Sequence, residues 1–425
     1  MRRVLGTLLG KSVAQAVKLR GKSNGQSMPG LVVETLVPGY LKVMLRKLPD
    51  GVVVITGTNG KTTTTKMVVE LLRINGKRVI TNATGSNLTR GIISTVARAA
   101  TKTGRLPYDI AVFELDEAYA YQFTNVLRPR YVLALNASRD QLDRFGEVDT
   151  VARLISDTML TATHGIVVNG DDKRLSQAAT GAAVPVTYFG VAPNLLKFFP
   201  RDDELVAVAS PKAAAPIDTQ RRAVELLAFN GKAAQYRMRH QKLYATLQVT
   251  GQHNFQNAAG ALSLARMLVP WHVTDEQLVQ QLSTVKPAFG RGQTFTLKNG
   301  SSLQLNLVKN PASFRQGLAS YVRPKTAIMI AINDALADSR DMSWLWDVDF
   351  TSLQSADIAL TTGTRAADMA LRLSYDEVAV KTIEPAIERA LGAFCKTPGD
   401  KVIFASYTAM LRLHHLLTQK AGKDL

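Results

Sequence analysis

The chain has 425 residues, of which 46% are hydrophobic and 20% are charged. Its length predicts two or three domains, and its composition is that of a globular protein, which excludes extensive disorder. The formal net charge of +18 favours anionic partners: nucleotides, phosphorylated substrates, nucleic acid or an anionic membrane surface. The single cysteine, Cys395, excludes a disulfide or a thiolate metal site within the chain and is interpreted as a small buried hydrophobe.

Residues 1–48 are predicted to form a basic helical segment. The start is similar to a signal peptide but lacks a continuous apolar core and a convincing cleavage site. It is typical of a basic amphipathic helix, with Leu5, Leu8, Leu9 and Val13 on one stripe. That stripe either docks onto the chain's own core or attaches weakly to an anionic membrane. Since no run of about 18 apolar residues occurs, we expect a cytoplasmic protein, with peripheral attachment at the inner face of the membrane left open.

Residues 49–300 show short apolar runs that alternate with helical patterns, as in βαβ units of a parallel sheet. The pattern breaks over an insertion at residues 191–249, which could hold a small β element, and a helical pattern returns at 254–268. A second α/β series fills residues 301–425. The predicted fold class is therefore α/β, with a central parallel-sheet domain and a C-terminal Rossmann-like domain. The predicted strands are 51–57, 78–84, 109–116, 131–137, 165–169, 184–190, 302–308, 326–333, 356–363, 377–380 and 401–406.

A phosphate-binding loop is predicted between the first of these strands and the helix that follows it. Its two glycines allow backbone N–H groups to approach phosphate oxygens, and the helix N-terminus adds roughly half a positive charge. Lys61 would contact the β- and γ-phosphates, and the Thr62 hydroxyl would bind Mg²⁺. ATP binding is therefore assigned to Gly57, Thr58, Asn59, Gly60, Lys61, Thr62 and Thr63.

Polar groups also follow the next strands. Glu114 begins an acidic run at a strand end beside the loop, where a carboxylate can hold Mg²⁺. The alternative is an acidic loop that caps the following helix. The polar segment 136–147 could serve a metal, a phosphate or an acyl acceptor.

Two later features have ordinary explanations when each is taken alone. Asn254 could simply cap the helix that it opens, and Arg291 could be a surface charge. Taken in order, however, residues 45 to 300 resemble the Mur ligase superfamily. Four motifs carry this resemblance: the GTNGKT loop, the strand-end glutamate, the HNxxN sequence at 253–257 and the Gly290-Arg291 turn.

The resemblance implies an ATP-dependent amide ligase that phosphorylates a carboxylate, after which an amine displaces phosphate. It also implies that Asn257 and Arg291 hold adenine or phosphate and that Glu114 holds the metal. Lys61, Mg²⁺ and Arg291 would then offset the negative charge of phosphoryl transfer.

The C-terminal third narrows the resemblance. It resembles the MurT family, the ligase subunits of lipid II isoglutaminyl synthases. The segments that carry this resemblance are 307–312, 332–350 and 362–366, together with 86–91 and 139–147. This implies amidation of the D-glutamate α-carboxylate of the lipid II stem peptide to D-isoglutamine. The ammonia would come from a GatD-type glutaminase in a heterodimer.

Within that family an aspartate of the ligase subunit completes the partner's Cys–His pair, and the matching position here is Asp341. Asp347 and Asp349 are nearby competitors for the role. An aspartate can orient a histidine and stabilise its protonated form.

The sequence departs from the family in one important way. The relatives carry a four-cysteine zinc ribbon where this chain has the insertion 191–249, and no cysteine lies there, so zinc is not expected. Ser339 and Ser313 are smaller departures that affect loop geometry. Two other functions stay open: a stand-alone Mur- or folylpolyglutamate-type amino-acid ligase, and a nucleic-acid or membrane-binding module suggested by the charge. The expected partners include no nucleic acid, because no recognition motif for it is present.

Overall fold

The computed structural model shows two β-sheets, one of nine strands and one of six, flanked by helices. Some sequence predictions lie outside the described residues: those on residues 83–87, on segment 139–147, on residues 200–221 of the insertion, and on residues 289–290 and 339–340. The description covers residues 1–19, 27–82, 88–138, 148–199, 222–249, 251–287, 291–297, 299–323, 325–338, 341–356 and 358–421.

The first sheet is built from continuously apolar strands because both of its faces are covered. In β1, Val53 and Ile55 enter one hydrophobic cluster, whereas Val52 and Val54 enter the cluster on the opposite face. The strand order is β2-β3-β1-β4-β5-β6-β7-β8-β9, with β1 parallel to both β3 and β4. These strands are β1 Val52–Thr56, β2 Val79–Thr81, β3 Ile110–Glu114, β4 Tyr131–Ala134, β5 Gly165–Asn169, β6 Val186–Val191, β7 Arg222–Asn230, β8 Ala233–Met238 and β9 Gln241–Thr246.

Part of the insertion continues this sheet. Strand β7 pairs in parallel with β6, and β8 and β9 follow as an antiparallel meander. A buried ion-pair network fixes β7 in place: Arg222 lies 2.6 Å from Asp171 and 3.0 Å from Glu225, and Glu225 also pairs with Arg237. The described part of the insertion is therefore held by hydrogen bonds, ion pairs and apolar packing.

Helices cover both faces of the first sheet, and three more precede it. None of the described helices is long and apolar enough to cross a membrane. The helices are α1 Arg2–Leu19, α2 Met28–Leu36, α3 Tyr40–Leu45, α4 Lys61–Ile74, α5 Thr89–Ala99, α6 Glu117–Val126, α7 Val148–Leu160, α8 Lys173–Ala179, α9 Gln252–Leu268 and α10 Asp275–Gln281, with 3₁₀ turns at Pro193–Phe198 and Leu282–Thr284.

The N-terminal helix docks onto the chain's own core, although its predicted apolar stripe is not the docking face. Gly6, Thr7 and Gly10 are its buried residues, and the Thr7 hydroxyl lies 2.8 Å from the Tyr40 hydroxyl. Of the stripe, Leu5 and Leu8 are exposed, whereas Leu9 and Val13 are half-buried.

The second sheet has the order β10-β11-β15-β12-β13-β14, and all its pairings are parallel except that of β10 with β11. Its central strands are also covered on both faces, which agrees with the predicted α/β class. Its elements are β10 Arg291–Thr296, β11 Ser302–Leu307, β12 Ala327–Ala331, β13 Ile358–Thr362, β14 Val380–Ile383, β15 Lys401–Ala405, α11 Pro311–Tyr321, α12 Ala366–Tyr375, α13 Ile387–Cys395 and α14 Tyr407–Ala421, with 3₁₀ turns at Ser343–Asp347 and Thr351–Leu353.

Two strands of this sheet differ from prediction. Strand β10 was not predicted, and it places Arg291 in the second sheet. The expected domain boundary at residue 300 therefore falls in the connection between β10 and β11. The domain bounds themselves stay a prediction. The strand predicted at 377–380 begins later, at Val380. Glu377 has a φ of 59° and its amide donates to the Ser374 carbonyl, so the preceding residues close the turn after α12.

Candidate nucleotide-binding site

The predicted phosphate loop lies between β1 and α4, as its sequence indicates, and Gly60 caps α4. Gly57 and Gly60 have φ angles of 136° and 86°, which favour glycine. A Cβ at Gly57 would lie 3.0 Å from the Asn136 nitrogen, and one at Gly60 would lie 2.9 Å from Asn257 Cγ and closer still to its Oδ1. Both glycines are therefore required by backbone conformation and by close neighbours.

Asn136, the first residue of the polar segment after β4, holds the loop in shape. Its Oδ1 accepts from the Asn59 amide at 2.8 Å, and its Nδ2 donates to the Asn59 carbonyl at 3.0 Å. The Thr58 amide donates to the Asn136 carbonyl at 2.9 Å, and the Ser138 amide donates to Thr58 Oγ1 at 3.0 Å. This segment thus has a structural role in keeping the backbone of the loop preorganised.

Lys61 is only 5% exposed, and its ammonium lies against the carboxylates that follow β3. Its Nζ donates to the Gly57 carbonyl at 2.6 Å and lies 3.2 Å from Asp116 Oδ1 and 3.4 Å from Glu117 Oε1. Two acidic residues therefore neutralise and position the cation that the sequence assigns to phosphate. Within the acidic run at 114–117, Asp116 and Glu117 contact Lys61, and Glu114 contacts Thr62.

Thr62 and Glu114 form a direct pair: the Thr62 hydroxyl donates to Glu114 Oε1 at 2.7 Å. Asn82 fixes the strand end, since its Nδ2 donates to the Glu114 carbonyl at 2.8 Å and its Oδ1 accepts from the Glu114 amide at 2.9 Å. A hydroxyl and a carboxylate are hard oxygen donors that suit Mg²⁺, which usually takes its other ligands from water and phosphates. The Thr62–Glu114 pair therefore fits Mg²⁺ that a nucleotide also holds. Among the described residues there is no cluster of three or more His, Cys, Asp or Glu.

The helix α9 meets the loop from the other side. Asn257 is buried, lies against Gly60, and donates through Nδ2 to Asn254 Oδ1 at 3.1 Å. The structure thus brings Asn257 to the predicted phosphate loop. Arg291 begins β10, and its side chain lies outside the described part.

The second domain closes one side of the loop. Asn310 Nδ2 donates to Asn59 Oδ1 at 3.1 Å, across the boundary between the two sheets. A cleft at this boundary is lined by Gly60, Thr63, Asn306 and others. Asn306 is buried in β11, and within the described part of the chain neither of its amide atoms has a hydrogen-bond partner.

Sequence reasoning missed Asn306. A buried, unpartnered amide at the edge of a cleft is a candidate for ligand contact, because an unsatisfied buried polar group is costly. The available signal was a lone asparagine in the otherwise alternating strand SLQLNL.

Asp341 lies elsewhere, after β12 of the second sheet, immediately before the 3₁₀ turn Ser343–Asp347. Hydrogen bonds from the Ser343 hydroxyl and amide hold the pKa of Asp341 below its usual range, with the amide 2.8 Å from Oδ1. Asp349 makes the same kind of contact, accepting from the Thr351 amide at 2.8 Å and hydroxyl at 2.6 Å. Asp341 and Asp349 therefore each cap the turn that follows them, and the choice of Asp341 over Asp349 rests on the family resemblance.

Two family models match the chain. Residues 55–265 match the model of the Mur ligase middle domain, and residues 307–410 match that of the MurT ligase C-terminal domain. The chain belongs to the Mur ligase superfamily and is an ATP-dependent ligase.

Within the superfamily the chain resembles MurT. It is 27% identical over 433 residues to the MurT subunit of the glutamine-hydrolyzing lipid II isoglutaminyl synthase of Staphylococcus aureus strain COL, covering 96% of each chain. It is 28% identical over 459 residues to the MurT subunit of Streptococcus pneumoniae, covering 99% of this chain and 98% of the other. The fold is similar to that of a pseudomurein peptide ligase type C from Methanothermus fervidus, with a TM-score of 0.67, 19% identity, and coverage of 90% and 80% of the two chains. The relatives are named as subunits, which implies a partner subunit for this chain.

Proposed function

We propose that the chain is the ligase subunit of a lipid II isoglutaminyl synthase. It would phosphorylate the α-carboxylate of the stem-peptide D-glutamate and pass the acyl phosphate to ammonia. The alternative of a stand-alone amino-acid ligase is carried as an outcome of the test below.

The observation that carries the proposal is the convergence of Lys61, Thr62 and Glu114 at one sheet edge, facing a domain of the MurT C-terminal type. Phosphoryl transfer needs positioned positive charge and little covalent help from the protein. In the proposed first step, a carboxylate oxygen attacks the γ-phosphorus of ATP, and the bond from phosphorus to the ADP oxygen breaks. In the second, the ammonia nitrogen attacks the carbonyl carbon, phosphate leaves with the bonding electron pair, and a proton is lost from nitrogen.

Each residue has a distinct part in this proposal. The loop amides and Lys61 would bind the β- and γ-phosphates, and Lys61 would be released from Asp116 and Glu117 as phosphate replaces them. Thr62 and Glu114 would hold Mg²⁺, which offsets charge on the transferring phosphoryl group. Asn257 and Arg291 would contact adenine or phosphate. No zinc site is proposed, because a four-cysteine site cannot form from one cysteine.

The ammonia would come from a second protein. Glutamine hydrolysis of this kind uses a cysteine nucleophile, and the only cysteine, Cys395, lies in α13 against an apolar cluster. We therefore propose a GatD-type glutaminase as the partner in a heterodimer, with Asp341 reaching its Cys–His pair. An aspartate carboxylate can orient a histidine and stabilise its protonated form, which is the role proposed for Asp341. The protein would act in the cytoplasm, with its lipid-linked substrate at the inner face of the membrane.

The test is a nitrogen-source assay on the purified chain. With lipid II, ATP and Mg²⁺, we expect amidation from ammonium chloride, and amidation from glutamine only after the glutaminase is added. Mass spectrometry of the stem peptide measures the product. Amidation from glutamine by the chain alone would contradict the subunit assignment, and attachment of an amino acid in place of ammonia would favour the stand-alone ligase.

A further inference from the structure

The helix α1 is attached to the protein by its smallest residues. A Cβ at Gly10 would lie 2.5 Å from Ala97 Cβ, and a Cβ at Gly6 would clash with the Tyr40 ring. Thr7 completes this face through its hydrogen bond with Tyr40. Leu9 packs at the edge of this face, whereas Leu5, Leu8 and Leu19 take no part in the attachment.

The opposite face of α1 carries apolar side chains that the protein does not cover. Leu5 and Leu8 are 47% and 46% exposed, and Leu19 is more exposed still. Their spacing of three and eleven residues places them on one side of the helix. Across the described part of the chain, 20 large hydrophobic side chains are exposed, and eight of them lie before residue 37. The exposed apolar surface is therefore concentrated on the N-terminal helices, which points to a partner there.

The charge on this helix has a single sign. The sequence of α1 contains Arg2, Arg3, Lys11 and Lys18 and no Asp or Glu. Glu34, on the neighbouring α2, is paired with Arg90. Val4, Lys11 and Lys18 are seven residues apart and form a row beside Leu5 and Leu8, with Lys18 exposed. Lysine side chains in such a row can keep their ammonium groups at a polar boundary while the leucines enter an apolar layer.

We propose that the exposed face of α1, defined by Leu5, Leu8 and Leu19 with Lys11 and Lys18 at its border, docks onto an anionic lipid surface. Exposed leucines on a helix whose charged residues are all basic match the two components of interfacial binding: buried apolar area and attraction to anionic headgroups. A second copy of the chain would meet like charge at the same face. Such docking would place the nucleotide site beside a lipid-linked substrate, and its physiological meaning rests on the proposed function.

The experiment is co-sedimentation of the full chain with vesicles, without ATP, substrate or partner, so that its outcome is independent of the proposed chemistry. We expect binding to vesicles of equal parts phosphatidylcholine and phosphatidylglycerol, weaker binding at high salt, and little binding to phosphatidylcholine alone. The double variant L5Q/L8Q should bind roughly tenfold or more weakly, and K11Q/K18Q about tenfold more weakly.

Matched controls carry the same changes elsewhere. L160Q/L371Q removes two exposed leucines from α7 and α12, and K232Q/K242Q removes two exposed lysines near β8 and β9; neither should alter vesicle binding. Thermal unfolding should be the same for all four variants within a few degrees, since the changed side chains lie at the surface. Equal binding by L5Q/L8Q and its control, or no binding to anionic vesicles, would overturn the proposal. So would concentration-dependent self-association that L5Q/L8Q abolishes, which would assign the face to a second copy.

Discussion

Replacing Gly60 by alanine tests the phosphate loop with an unusually close control. Gly60 and Gly76 have the same φ angle of 86°, yet a Cβ at Gly76 would meet nothing within 4 Å. A Cβ at Gly60 would lie 2.9 Å from Asn257 Cγ and 3.0 Å from its Nδ2. The two substitutions therefore share the backbone strain and differ in the contact.

The shared strain should cost about 1–2 kcal/mol of stability in each variant, partly offset by the lower entropy of the unfolded chain. At Gly60 the neighbour is a buried amide already bonded to Asn254, so either the loop backbone or the Asn257 side chain that lies against it must shift. A misplacement of about 1 Å at a reacting group can cost on the order of 10²-fold in rate. We therefore expect G60A to lose roughly 10²-fold in ATP-dependent turnover and G76A to lose little.

ATP turnover and ADP binding by calorimetry measure the site, and thermal unfolding measures the strain. The double variant G60A/N257A removes the blocking amide together with the proposed Asn257 contact to the nucleotide, so its loss of binding should be smaller than the losses of the two single variants combined. If G60A and G76A lowered turnover equally, or if G60A retained normal turnover, the placement of phosphate at this loop would be wrong.

Three further predictions concern other side chains. E114Q should raise the Mg²⁺ concentration needed for half-maximal turnover by tenfold or more, as seen in magnesium titrations, with little effect on Mg²⁺-free ADP binding; an unchanged requirement would remove Glu114 from the metal site. D341N should preserve amidation from ammonium and depress amidation from glutamine in the complex with the glutaminase; equal loss with both nitrogen sources would assign Asp341 to the ligase reaction or to folding. A hydrogen bond from Arg372, and to a smaller extent one from the Phe350 amide, holds the pKa of Asp376 below its usual range. The Asp376 carboxylate therefore stabilises the fold fully at pH values above its unfolded-state pKa, and this stabilisation is lost as the pH falls through its folded-state pKa. D376N should therefore lower the free energy of unfolding by about 1–3 kcal/mol at pH 7, as measured by thermal unfolding, and the difference from the unchanged protein should shrink below about pH 4. A difference that stays constant with pH would contradict the ion-pair explanation.

Much of the fold was accessible from sequence because parallel strands buried on both faces are continuously apolar. The loop at 57–62 was predictable for a related reason: glycine spacing and a strand-to-helix transition are local features. Strand β10 was missed, since its sequence RGQTFT is polar and gains its stability by pairing with β11.

The face used by α1 could not be predicted, because hydrophobic periodicity assumes that large apolar residues dock. Here Gly6 and Gly10 allow a close approach to Tyr40 and Ala97, which leaves Leu5, Leu8 and Leu19 exposed. Asn306 was missed because its significance depends on the absence of a partner among the described residues, which only the structure reveals.

The most direct test of the central claim follows oxygen from the substrate into phosphate. The purified chain is given ATP, Mg²⁺, ammonium chloride and lipid II whose D-glutamate α-carboxylate is labelled with ¹⁸O. If the chain makes an acyl phosphate and ammonia displaces phosphate from it, the released phosphate carries one labelled oxygen and the amide keeps the other. Label in AMP, or amide formation with unlabelled phosphate, would contradict phosphoryl activation of the carboxylate.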